Sequence, residues 1–520
     1  MNLVLLDRPL SAAQVAQVAA QQAGLELSTA AKTRISNANA IVHSLVENNL
    51  RAYGVNTGVG ALSDTIVPPA QQSALSRNIL MSHAVGVGRP LGVNETRAIM
   101  VAAVNNYAHG YSGLRLAVVE RLVMLLNAGC TPQVPQHGSV GYISHMAHIG
   151  LLLIGRGQCL LDGVRMPAAV ALDRLGVKSL VLEAKEGLCL VNGSPCVTGL
   201  GSLLLERARR LMDWADTVAA LSFETQRCQI RALHPVSMAL RKSPGLQQVS
   251  QRLNTLLAGS GILLAATGRI TQDPLSLRSI PQVHGAVRDA WAQVLAVVER
   301  ELASVTDNPV ICGSSEAPEI YSQAHAVGAG IGLAMDQIAV ATAQLGAICE
   351  RRIDRLVNPL VNGLPPFLAG SSGVESGFMI AQYTAASLVA QNRRLAAPAS
   401  LDGGVTSGLQ EDILCHATPA ALKAHHILDN LESLLAIELL AACQCYDLLE
   451  PDLKPAPLTL AIYKAVRTWV SRYADDRPLG EDIATISRLI GSYDPDDTLF
   501  LCNGQWSTSQ GSSVNGKQYV

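Results

Sequence analysis

Residues 326–348 read AVGAGIGLAMDQIAVATAQLGAI, a run dominated by small and aliphatic residues with one charge, Asp336. A stretch this apolar satisfies its backbone as a helix, and that helix must either be covered by neighbouring helices or cross a membrane. Asp336 lies near the centre of the run, where a carboxylate costs roughly 2.5–3.5 kcal/mol to insert into a bilayer. A buried helix is therefore the expectation, with no membrane partner. Residues 378–392 are similarly rich in small residues, and residues 203–221 set Leu204, Leu211, Trp214, Ala215 and Val218 on one helical face. Together these stretches predict a mainly α protein with a long central helix bundle over residues 200–449. A smaller N-terminal domain of helices and loops is expected over 1–199, and a C-terminal helical region and tail over 450–520. Helices are expected at 11–22 and 28–48, and short β segments at 157–180, where glycine and proline interrupt the helical period.

The chain has 39 Lys and Arg against 41 Asp and Glu, a formal charge of −2, and no basic block, so nucleic acid is not an expected partner. Only 15% of its residues are charged while 49% are hydrophobic, a balance that suits a protein whose surface is partly covered by other subunits. Eleven cysteines are scattered from Cys130 to Cys502 without paired spacings, as in a reducing compartment. The first residues, MNLVLLDRPL, have no basic leader and place Asp7 where a signal peptide would be apolar, so the cytoplasm is the expected location. No metal is expected: His145 and His148 share a helix face without a third ligand beside them, and Cys443 and Cys445 are too close and too isolated for a zinc motif.

Three glycine-rich stretches carry the chemistry. Residues 51–60, RAYGVNTGVG, form a loop bearing Tyr53, and neither this GVG nor that at 86–88 completes a dinucleotide-binding pattern. Residues 138–157, GSVGYISHMAHIGLLLIGRG, begin in a sharp turn and end in an apolar helical run. Residues 403–408 form a turn ahead of Glu411. Standing alone, Tyr53 reads as a loop aromatic packing on the surface and His83 as a hydrogen-bonded structural histidine, while Glu411 reads equally as a helix-start residue.

Taken together with residues 75–91, LSRNILMSHAVGVGRPL, with KEGLCLVNG at 185–193, and with QDPLSLR at 272–278, these motifs resemble the histidine and phenylalanine ammonia-lyase family. The resemblance implies a helical homotetramer whose active sites draw Tyr53, Arg278 and Glu411 from different chains. It makes Tyr53 the base, on a mobile loop, and Arg278 the carboxylate-binding arginine, preceded in its motif by Gln272. Asn192 and Asn308 fall on active-site asparagines, and Tyr142 stands in the catalytic turn. His83 and Glu411 fall where histidine-type members contact the imidazole ring. A carboxylate can accept from an imidazole N–H, whereas a phenyl ring would leave it desolvated without a partner.

Three departures cluster at the amine side of the implied pocket. No Ala-Ser-Gly occurs in the chain, although in the family that triad cyclises into the electrophile methylidene-imidazolone. Leu275 replaces a tyrosine, and Gln323-Ala324-His325 stands where the family has Asn-Phe-His. The expectation is therefore a carbon–nitrogen lyase that works without methylidene-imidazolone on an imidazole-bearing or aromatic amino acid or its betaine. A non-catalytic relative that binds a ligand or pairs with an active paralogue is an alternative, opposed by the tyrosine on its glycine-rich loop. Another is a histidine ammonia-lyase with an unconventional electrophile made from Ile143-Ser144-His145, in which histidine replaces the glycine whose nitrogen would attack.

Overall fold

A computed structural model describes residues 2–497 apart from 372 and 402. Cys502 and the end of the predicted C-terminal tail lie outside the described residues. The protein is mainly helical, as the composition of the long apolar runs requires. The N-terminus departs from the helix-and-loop expectation: β1 (Asn2–Leu6) and β2 (Ala23–Leu27) pair in parallel, with Leu6 and Leu25 fully buried. The intervening helix Ala12–Ala19 is closed by a capping box, in which Ser11 accepts from the amide of Gln14 while the Gln14 side chain accepts from the amide of Ser11.

The elements that build the site follow. Helix α1 (Pro69–His83) ends at His83, and α2 (His145–Leu153) follows the turn at residues 138–144. The expected β segments form a hairpin, Gln158–Leu161 with Val164–Pro167, before the chain returns to helix at Ala168–Arg174. Helices α3 (Pro195–Thr225) and α4 (Ile280–Leu302) are followed by a second hairpin, β3 (Val310–Gly313) and β4 (Pro318–Tyr321). Helices α5 (Ala329–Val357), α6 (Met379–Leu395) and α7 (Ala417–Leu448) complete the long elements. The predicted face of α3 is buried at all five positions, Leu204, Leu211, Trp214, Ala215 and Val218.

The chain divides into two compact units, each assembled from three segments. One comprises Met1–Glu206, Trp291–Val340 and Leu395–His426, and the other Arg207–Ala290, Ala341–Arg394 and Ile427–Val520. In the first, Asp336 accounts for the charge in the apolar run. Its carboxylate pairs with Lys423 and accepts from the amides of Ala399 at 3.1 Å and Ser400 at 2.8 Å. Burial alone would raise the Asp336 carboxyl, but these bonds outweigh it and hold the group below the usual carboxylate range. Helix α5 is long and apolar enough to cross a membrane, yet 67% of its most apolar window is buried inside the protein.

The second unit contains a buried ionic cluster. Arg352 donates to both oxygens of Glu438, at 2.6 and 2.9 Å, and Ser222 Oγ donates to the same carboxylate at 2.6 Å. Arg288 pairs with Asp216 at 2.5 Å. His284 lies 2.7 Å from Asp216 through Nδ1 and 3.2 Å from Arg352 through Nε2. Burial, together with Arg352, keeps His284 below its ordinary pKa in spite of Asp216, so the ring is neutral, with Nδ1–H donating to Asp216.

Candidate active site

Glycine geometry starts the site. At Gly54 φ is +63°, and a Cβ there would lie 2.1 Å from Leu188 Cδ2, so only glycine lets the loop turn against this side chain. The turn is fixed by Gly54 N–H donating to Thr57 Oγ1 at 3.0 Å and Ala52 N–H donating to Asn56 Oδ1 at 2.8 Å. Tyr53 is thereby turned into a cavity of about 800 Å³, where its hydroxyl accepts from Gly60 N–H at 3.2 Å.

The same cavity is lined by His83, Tyr142, Ile143, Asn192, Asn308 and Glu411. His83 projects from the last turn of α1, and its Nδ1 lies 3.0 Å from Ser82 Oγ. Burial lowers the His83 pKa, opposed by a backbone hydrogen bond to Ile79 and by the charge of Glu411, so the imidazole is neutral at neutral pH. Thr406 Oγ1 donates to Glu411 Oε2 at 2.6 Å, and the two residues are also bridged through their backbones. Asn192 Nδ2 donates to the carbonyl of Asn308 at 2.5 Å and to Asp307 Oδ1 at 3.3 Å. Asn308 Oδ1 accepts in turn from the amide of Gln323 at 2.8 Å.

Tyr142 comes from the turn at 138–144. Ser139 Oγ donates to its carbonyl at 2.8 Å and accepts from Gly141 N–H at 3.2 Å, while Ile143 N–H donates to Val191 O at 3.1 Å. Burial, followed by the charges of Glu411, Cys415 and Tyr53, pushes the Tyr142 phenol up to about 12. It is therefore a standing hydrogen-bond donor at the cavity wall. His145, pushed down to about 4 mainly by burial, faces the carbonyl of Gln136 at 3.0 Å and is structural. No group of three or more His, Cys, Asp or Glu side chains placed to hold a metal occurs among the described residues.

Of the residues singled out in the sequence, Tyr53, His83, Tyr142, Asn192, Asn308 and Glu411 share this cavity. The expectation that Tyr53 and Glu411 come from different chains is corrected, because both line one cavity of one chain. Gln272 and Arg278 belong to the other unit, where the Gln272 side-chain oxygen, in the orientation that satisfies its partners, accepts from Arg278 Nε at 2.9 Å. Thr406 and the amide of Gly60 were not identified from the sequence. Thr406 lies five positions before its partner, inside a stretch that reads only as a turn.

An aromatic amino acid lyase family model matches residues 10–468. Histidine ammonia-lyase of Symbiobacterium thermophilum is 41% identical over 493 residues, covering 94% of this chain and 97% of the relative. Among solved structures, histidine ammonia-lyase from Trypanosoma cruzi superposes with a TM-score of 0.89 at 34% identity, covering 96% of each chain. Ergothionase from Treponema denticola, an ergothioneine-degrading enzyme, gives a TM-score of 0.89 at 27% identity over 94% of this chain and 99% of its own.

These relatives overturn the expectation of a lyase without methylidene-imidazolone, because histidine ammonia-lyases are the enzymes that carry it. The turn offers one place for the group. Ile143 (φ 66°) and Ser144 (φ 35°, ψ −72°) are consecutive positive-φ residues, so the chain bends sharply at this point before the helix begins. The Ser144 hydroxyl is buried and has no hydrogen-bond partner among the described residues. Ile143, Ser144 and His145 are thus the residues that would hold the group, with isoleucine and histidine in place of the family's alanine and glycine. With a family match over most of its length and this identity to histidine ammonia-lyases, the chain belongs to the aromatic amino acid lyase family and is a carbon–nitrogen lyase of the histidine ammonia-lyase type.

Proposed function

We propose that the substrate is histidine or a closely related imidazole amino acid, from which ammonia is eliminated across the α and β carbons. The observation that supports this reading best is the presence of His83 and Glu411 in the cavity that also holds Tyr53. Glu411, steadied by Thr406, accepts from an imidazole N–H, and the neutral ring of His83 offers a second polar contact. Tyr53 takes the β-proton, which requires its oxygen within hydrogen-bond reach of the β-carbon's hydrogen in the bound state. Tyr142, protonated throughout the working range, donates to the polar end of the substrate. Asn192 and Asn308, locked to each other, form a polar floor that fixes the substrate's orientation. When present, methylidene-imidazolone supplies the electrophile that activates the amine for departure.

The substrate carboxylate needs a bidentate partner, and Arg278 with Gln272 is the pair the motif provides. We propose that another copy of the chain supplies it, in a homotetramer. The ten described cysteines are all free thiols, which suits a reducing cytoplasm. Incubation with histidine should generate the strong ultraviolet absorbance of a ring-conjugated acrylate together with one ammonia per turnover. The trimethyl betaine of an imidazole amino acid is the second substrate to assay, because the Treponema ergothionase shares the fold. Absence of both products from every imidazole substrate would leave a binding protein.

A further inference from the structure

A second cavity, of about 610 Å³, lies in the same unit and is lined by Tyr111, Glu301, Ser304, Cys312 and His325 among others. Ala324 and Val327 line both cavities, so two side chains of modest size form the shared wall. One of them, Ala324, stands where the family carries phenylalanine. Glu301 projects from α4; one carboxylate oxygen accepts from Ser194 Oγ at 2.6 Å, and the other has no partner among the described residues. Burial raises the Glu301 carboxyl above the usual range, and the Ser194 hydrogen bond offsets only part of that. Among the described residues, no lysine or arginine lines the cavity. Behind Glu301 is a void of about 10 Å³, room for one water at most, where the buried Asn106 Nδ2 has no partner among the described residues.

A half-buried carboxylate that keeps one oxygen free, in a cavity also lined by the half-exposed Tyr111, suits a small ammonium-type ion. We propose that this second cavity is an exit subsite for the released amine, which passes Ala324 and is held by Glu301 as ammonium. The inference rests on the elimination reading of the first cavity. The reaction balances: the β-proton and the amine leave together, the C–N bond breaking as the α,β double bond forms, so that the zwitterionic amino acid becomes an acrylate anion and one ammonium ion.

The test is product inhibition by ammonium during histidine turnover, combined with calorimetric binding of methylammonium to the substrate-free protein. Glu301→Gln keeps an oxygen for Ser194 but removes the charge. It should raise the ammonium inhibition constant about ten-fold or more, the worth of a hydrogen bond to a charged group, while the KM for histidine changes much less. Glu301→Asp should recover part of the effect, and Ala324→Phe, which fills the shared wall, should weaken ammonium inhibition even if Glu301→Gln does not fold. Unchanged ammonium inhibition in Glu301→Gln, or an equal rise in both constants, overturns the subsite and leaves the lyase reading intact. If histidine is not turned over but methylammonium binding still depends on Glu301, the cavity binds ammonium but its exit role falls together with the elimination reading. Failure of both measurements in the wild type removes both.

Discussion

Tyr53 owes its direction to Gly54 and its surroundings to residues far away in sequence, so its function can be separated from its packing. Tyr53→Phe preserves the ring but removes the oxygen that takes the β-proton, and turnover of histidine should fall about 10²–10⁴-fold with little loss of binding. Full turnover by this variant would remove Tyr53 from the mechanism. Glu411→Gln keeps an oxygen that accepts from Thr406 but cannot stabilise a charged imidazole. It should therefore lower kcat/KM for histidine more than for a phenyl-bearing analogue, and an equal loss on both would argue that Glu411 only braces its turn. The residue types Tyr53, His83 and Glu411 were legible because each sits in a motif whose chemistry needs that side chain. Thr406 was not, since its contact with Glu411 arises from a backbone bridge that no composition or period encodes.

At the scale of elements, the long helices were readable from periodicity: α3, α5 and α6 each follow an apolar run with small or aliphatic residues on several faces. The parallel pair β1 and β2 was missed because each strand is only five residues long and its partner is set by tertiary pairing. The ionic cluster of Arg352, Glu438, His284, Asp216 and Arg288 was equally hidden, since each charge taken alone looks like a surface residue of an amphipathic helix. Buried pairs of this kind cost more when one partner is lost than when both are replaced. Glu438→Gln should lower unfolding stability by about 3–5 kcal/mol in urea melts, because Arg352 is left charged in a site with no access to water. The double replacement Arg352→Met with Glu438→Leu should recover most of that loss. A single variant as stable as the wild type would show that the cluster contributes nothing to holding the bundle.

Across the whole molecule, the loops that frame the candidate site turn apolar side chains outward. Leu62 and Ile66 flank the Tyr53 loop, Leu409 and Ile413 flank Glu411, and each is more than 60% exposed. Exposed aliphatics gathered beside a substrate cavity suit burial against another copy, and a homotetramer would supply it. Arg278 makes this arrangement testable by complementation. If each site takes Tyr53 and Glu411 from one chain and Arg278 from another, Tyr53→Phe and Arg278→Ala protein are each nearly inactive alone, yet they repair one another once their chains are assembled into the same oligomers. After co-refolding at equal amounts, random assembly leaves about a quarter of the sites with both native residues, so about a quarter of wild-type activity should return. Mixing without subunit exchange should restore nothing, and sedimentation should give four chains per particle in every sample. Particles of a single chain with full activity, or mixed oligomers that stay as inactive as their parents, would show that the carboxylate of the substrate is not held by an arginine from a second copy.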